Sequence, residues 1–173
     1  MTESPGWIAA KRIHPRELMK KLRVGPGRAD WEAIDAFDIS CARLPSGWYL
    51  VIIVHDVVFP ANEEWFAELS SEGDVVRFLV SAEGGFPLAQ GFHAGTKRWE
   101  LRPDSDEDVR VSGTPPECFA AIRQNRLAAQ PPDDDSNPIS FEILVDVCES
   151  LTGFRYDRLE TLTEPFIHHN INY

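Results

Sequence analysis

Residues 48–59, "WYLVIIVHDVVF", place apolar side chains at Trp48, Leu50, Ile52 and Val54 and again at Tyr49, Val51 and Ile53. Successive strand side chains point to opposite faces, so a run apolar in both sets predicts a central strand covered on both sides. In "VVRFLVS", Val76, Phe78 and Val80 share one side of a second strand and Arg77 takes the other. "LAQGFH", "RWELR" and "VRVSG" follow as short strands, joined by the turn "AGTK" and the acidic turn "PDSDED". This spacing predicts an antiparallel meander.

Between the strands the period changes to that of helices. "HPRELMKKLRVGPG" reads as a short basic helix with Pro15 in its first turn and a thin stripe of Ile13, Leu18 and Leu22. In "DWEAIDAF", Asp30 is the expected cap for Trp31, Ile34 and Phe37. Asn62 caps a helix that buries Trp65, Phe66 and Leu69 and ends at Gly73. Thr114 and Glu117 have capping-box spacing, with Pro115 at the first helical position, and predict a helix over 115–127 burying Phe119 and Ile122. Asn137-Pro138 opens a helix over 138–152, where Phe141, Leu144, Val145, Cys148 and Leu151 recur at helical spacing and Gly153 is the left-handed stop. The expected fold is α+β: a mostly antiparallel sheet of about five strands, with helices 115–127 and 138–152 packed on one face.

Length changes this picture little, since 173 residues fit one domain. Charge changes it more. The net charge is −11. Residues 1–28 hold seven basic side chains against two acidic ones, +5, whereas residues 29–173 hold ten against 26, −16. The chain therefore reads as a basic N-terminal helical arm, 1–28, on a single acidic domain, 29–173. A body this acidic repels phosphate backbones and attracts basic proteins, so the expected partner is a basic protein and not nucleic acid. No apolar run is long enough to span a membrane and the N-terminus lacks a leader pattern, so the expected compartment is the cytoplasm. The three cysteines, Cys41, Cys118 and Cys148, are widely spaced, and no disulfide framework, metal or other cofactor is expected.

Candidate chemistry is sparse. His55 and Asp56 are neighbours on a strand, so they point to opposite faces and cannot act as one dyad without partners from elsewhere. His93 flanks a hairpin loop, and adjacent His168 and His169 lack ligand spacing. Cys118 falls in the first turn of its helix, where thiolates are stabilised, but no nucleophile signature surrounds it. His55, Asp56 and Cys118 are the candidate walls of a small-molecule pocket, should the protein be an enzyme. The acidic groups Asp104, Asp106, Glu107 and Asp108, and Asp133, Asp134 and Asp135, are the candidate partner-binding residues; the first lacks the Gly and Glu of a calcium loop. The aromatic short strands of "GFHAGTKRWELR" and the helix-closing "SLTGFRYD", taken with the acidity and the absence of a catalytic motif, resemble the small acidic immunity-type proteins that bacteria keep against their own polymorphic toxins. The resemblance implies a non-enzymatic role: binding a basic, nuclease-like toxin and occluding its groove. It carries over no functional residue.

Overall fold

The computed structural model describes residues 6–22, 28–30, 39–53, 62–80, 87–129, 137–158 and 166–169. They form strands β1 (Gly6–Lys11), β2 (Arg28–Asp30), β3 (Ile39–Arg43), β4 (Tyr49–Ile53), β5 (Asp74–Leu79), β6 (Leu88–His93), β7 (Thr96–Pro103), β8 (Val109–Gly113) and β9 (Phe166–His169). The helices are α1 (Pro15–Lys21), α2 (Glu63–Leu69), α3 (Phe119–Ala128) and α4 (Ile139–Thr152). All nine strands join one sheet in the order β2-β9-β3-β4-β1-β5-β6-β7-β8, and every pairing is antiparallel. The α+β class stands, with nine strands in place of about five.

The N-terminal segment is the largest correction. Gly6–Lys11 is a strand at the middle of the sheet, between β4 and β5, so no arm separates from the domain at residue 28. Its side chains Trp7, Ile8, Ala9 and Ala10 are all buried, because the two faces of the sheet carry separate cores. On one face Trp7, Leu50, Ile52, Val76 and Phe78 meet α4 through Ile143, Leu144 and Val147, and α3 through Phe119. On the other Ile8, Val51, Cys41 and Val75 meet α1 through Leu18 and Leu22, and α2 through Phe66 and Leu69. Helix α1 therefore docks on its own domain, where Lys21 Nζ also donates to the carbonyl of Glu68 and lies 3.6 Å from its carboxylate.

Local signals explain most element ends. The Asn62 side chain accepts from Trp65 N at 2.9 Å and caps α2. Gly153 ends α4 at φ 78°, as expected of a left-handed stop. The capping box does not form. Thr114 N donates to Arg98 O at 2.8 Å and stays in the hairpin ladder. Pro116 disfavours helical geometry at Pro115, so α3 starts only at Phe119, with Cys118 as a cap that makes no side-chain bond. Asn137 does not cap α4 either; its amide donates to Glu142 at 3.1 Å. Asp30, expected as a helix cap, ends β2. The rest of that expected helix, 31–38, lies outside the described residues.

The sheet's two ends differ in chemistry. The registers align Ile167, Cys41, Val51, Ile8, Arg77, Gln90, Glu100 and Ser112 in one row on the α1/α2 face. The row is apolar as far as β1 and polar from β5 onward. Beyond α2 the β7–β8 end of this face is open: Arg102, Arg110 and Ser112 are exposed.

Candidate functional site

The turn between β7 and β8 carries the first acidic group. Its backbone is fixed at several points. Asp104 N donates to Asp108 O at 2.8 Å, and the Ser105 hydroxyl accepts from Asp108 N at 3.1 Å. Ser140 N, at the start of α4, donates to Asp106 O at 2.9 Å and ties the turn to the helical layer. Two of the four carboxylates are neutralised by the chain itself: Asp104 pairs with Arg110 at 2.5 Å, and Asp108 with Arg123 of α3 at 2.9 Å. The amide of Val109, followed by Arg123, holds the Asp108 carboxyl below its usual range. Asp106 and Glu107 are exposed and carry no ion pair among the described residues. The sequence thus picks out four acids, and the structure reduces the free ones to two, held on a braced turn.

Of the remaining sequence candidates, those among the described residues do not converge on this turn. Asp133, Asp134 and Asp135 lie outside the described residues, as do His55 and Asp56. Cys118 is half-buried at the start of α3 and packs against the core under α4. Cys148 of α4 is buried, which pushes its thiol up, and the proximity of Cys118 adds to the shift. His93 hydrogen-bonds Asp74 at 2.6 Å; the second oxygen of Asp74 takes Arg12 at 2.6 Å, which closes the corner between β1, β5 and β6. His168 and Ser40 face each other across β9 and β3, Nδ1 to Oγ 2.7 Å. Both are buried, so this hydroxyl–imidazole pair pins two strands and lies out of reach of a substrate. Among the described residues no group of three or more His, Cys, Asp or Glu is placed to hold a metal ion, and no helix is long and apolar enough to cross a membrane.

Two charge networks escaped the sequence reading. Glu142, Asp146 and Glu149 lie on one face of α4, at spacings that signal such a face. Around them gather Arg126 from α3 and Arg155 from the segment after α4. Arg155 also takes Asp157 at 2.8 Å, and the carboxylates around it raise its pKa against the opposing effect of burial. On the opposite side of the sheet, buried Arg77 donates to Gln90 at 2.5 Å and stacks over Phe66 at 4.4 Å. Burial lowers the Arg77 pKa, and nearby Glu63 and Glu100 oppose that. Gln90 passes its amide protons to Glu63 and Glu100, which share Lys97. The first network ties α3 and the segment after α4 to α4, and the second ties the start of α2 to β6 and β7. A shallow crevice beside Arg155, lined by Trp7, Phe78, Val145, Phe154 and Tyr156, encloses essentially no room for a ligand.

No family model matches the chain, and neither the curated proteins nor the solved structures compared with it include a match.

Proposed function

We propose that this is a binding protein that meets a basic protein partner through the β7–β8 turn. The observation that carries this reading is the pair Asp106 and Glu107. Both are exposed and lack an internal ion pair among the described residues, and their turn is held by bonds from Ser105 and Ser140. Carboxylates presented on a fixed turn lose little conformational freedom on binding, so more of the pairing energy is available as affinity. The net charge of −11 steers a cationic partner toward the chain and repels polyanions. A partner of this kind, acting in the cytoplasm, is a nuclease-like toxin whose basic groove these acids would occupy. That is the immunity role the sequence resemblance implies.

The test uses the full chain immobilised at low salt and exposed to extract of its cell of origin. We expect a basic protein to be retained, released at about 0.5 M salt, and lost with the doubly reversed Asp106→Lys/Glu107→Lys chain. Equal retention by both chains, or retention indifferent to salt, would show this reading to be wrong. The immunity role is tested separately, by whether co-expression protects a host from the retained protein.

A further inference from the structure

Strand β8 is hydrogen-bonded to β7 and, among the described residues, to no strand on its other side. Asp104 N bonds Asp108 O, and Thr114 N bonds Arg98 O. In an antiparallel ladder such pairs alternate, so Arg102–Arg110 and Glu100–Ser112 are also hydrogen-bonded pairs. The N–H and C=O of Val111 then point away from β7. The Val109 amide points the same way and is taken by the Asp108 side chain at 2.8 Å. Among the described residues the outer edge is therefore capped at one end and open at Val111.

The same register sets Arg102 directly opposite Arg110 on the open sheet face, 52% and 73% exposed. Like charges in directly opposed positions repel. Among the described residues each arginine has one carboxylate contact: Arg102 Nε to Glu100 at 2.6 Å, and Arg110 to Asp104 at 2.5 Å. Glu100 is shared with Lys97. A guanidinium has five donors, so one carboxylate contact leaves capacity for another on each of these exposed side chains.

We propose that β8 accepts an extended acidic segment of a partner protein by antiparallel strand addition. The open edge supplies main-chain bonds at Val111, and Arg110 with Arg102 takes carboxylates from alternate positions of the added strand. A second copy of this chain fits poorly. Pairing β8 with itself about Val111 would crowd two arginine pairs onto one face. This inference does not rest on the acidic-turn reading, which needs the opposite charge on the partner; the net charge of −11 disfavours an acidic segment at long range, and the arginine pair acts only at contact, within a Debye length.

The experiment is fluorescence anisotropy of the full chain with a labelled peptide of alternating Glu and Val. Val positions opposite Val111 direct their N–H groups to β8, and Glu positions direct theirs away. We expect binding that weakens roughly tenfold in Arg110→Ala and further in Arg102→Ala/Arg110→Ala. Methylating the Val backbone nitrogens should abolish binding, while methylating the Glu nitrogens should leave it. Four results would overturn the proposal: no binding, equal binding of a control peptide of alternating Lys and Val, indifference to Val N-methylation, or a dimer of the chain that Arg110→Glu disperses. Circular dichroism of the exposed arginine variants checks that they stay folded.

Discussion

Replacing Arg155 with methionine keeps a buried stem of similar length and removes the cation at the centre of the α4 network. Arg155 is 8% exposed and bonds Glu142 at 2.7 Å, Asp146 at 2.5 Å and Asp157 at 2.8 Å, with Glu149 at 3.4 Å. Breaking a buried ion pair from one side costs about 3–5 kcal/mol. Arg126 remains on Glu142 and Asp146, and water reaches Glu149 and Asp157, whose side chains are 32% and 46% exposed. The expected loss is therefore nearer the lower bound, about 3 kcal/mol at neutral pH, or roughly 6–12 °C in Tm for a domain of this size. The pH dependence follows from Asp146. Burial alone would raise its carboxyl, but hydrogen bonds from Arg126 and Arg155 outweigh that and hold it below its ordinary value. A carboxylate depressed in the folded state contributes stability above its unfolded pKa and loses it as the pH falls through the folded value. The deficit of the variant should be full at pH 7 and shrink on acidification below about pH 4. Urea melts of both chains across that range measure it. A deficit under about 1 kcal/mol at pH 7, or one that grows on acidification, would refute the reasoning.

Glu100→Gln tests the second network. Burial opposes ionisation there, yet Lys97, Gln90 and Arg102 bring the carboxyl from 4.5 to about 2. The variant should lose about 2 kcal/mol near neutrality, with the gap to the parent closing as the pH falls from about 4.5 toward 2 in urea melts. Gly91→Ala would place a Cβ 2.2 Å from the Trp99 indole that covers this glycine across the β6–β7 pair. Overpacking of this kind costs roughly 1–3 kcal/mol, and Trp99 fluorescence should shift as the ring is displaced. Among the thiols, Cys41 is buried and pushed up to about 12, and buried Cys148 is raised as well. A thiol reagent should label Cys118 alone in the native chain and all three cysteines in denaturant; mass mapping of the adducts checks this.

The half of the sheet from β5 to β8 was legible because its strands follow one another through short turns and alternate over five or more residues. So was β4, with its doubly apolar run. The strands β1, β2, β3 and β9 were not. β2 and β9 are short, and β1, β2 and β9 find their partners far along the chain: Ile8 lies opposite Val51 and Arg77, and Ala29 opposite Ile167; β3 has β4 beside it but takes β9 on its other edge, Ser40 opposite His168. Periodicity reports local structure, and these pairings are set by tertiary contacts. The basic charge of residues 1–28 also misled, since charge at Lys11 and Arg12 hid the apolar Trp7–Ala10 beside it. At the candidate site the acidic turn was read correctly as a turn. Its free charge was not, because Arg110 and Arg123 reach it from an adjacent strand and a helix. Arg155 gave no signal of its burial, since its carboxylates arrive from another element.

The position of β1 has a kinetic consequence. Its two neighbours are residues 49–53 and 74–79, so a chain emerging from the ribosome carries Gly6–Lys11 with at least one edge unpaired until the second of them has left the exit tunnel. The meander that follows closes over short loops and has the lower loop-closure cost. The β5–β8 hairpins are thus placed to organise first, and β1, made before them, to slot in between sheet halves afterward. Refolding rates should therefore respond to substitutions in β5–β7 more than to substitutions in β1, whose loss would show chiefly as faster unfolding.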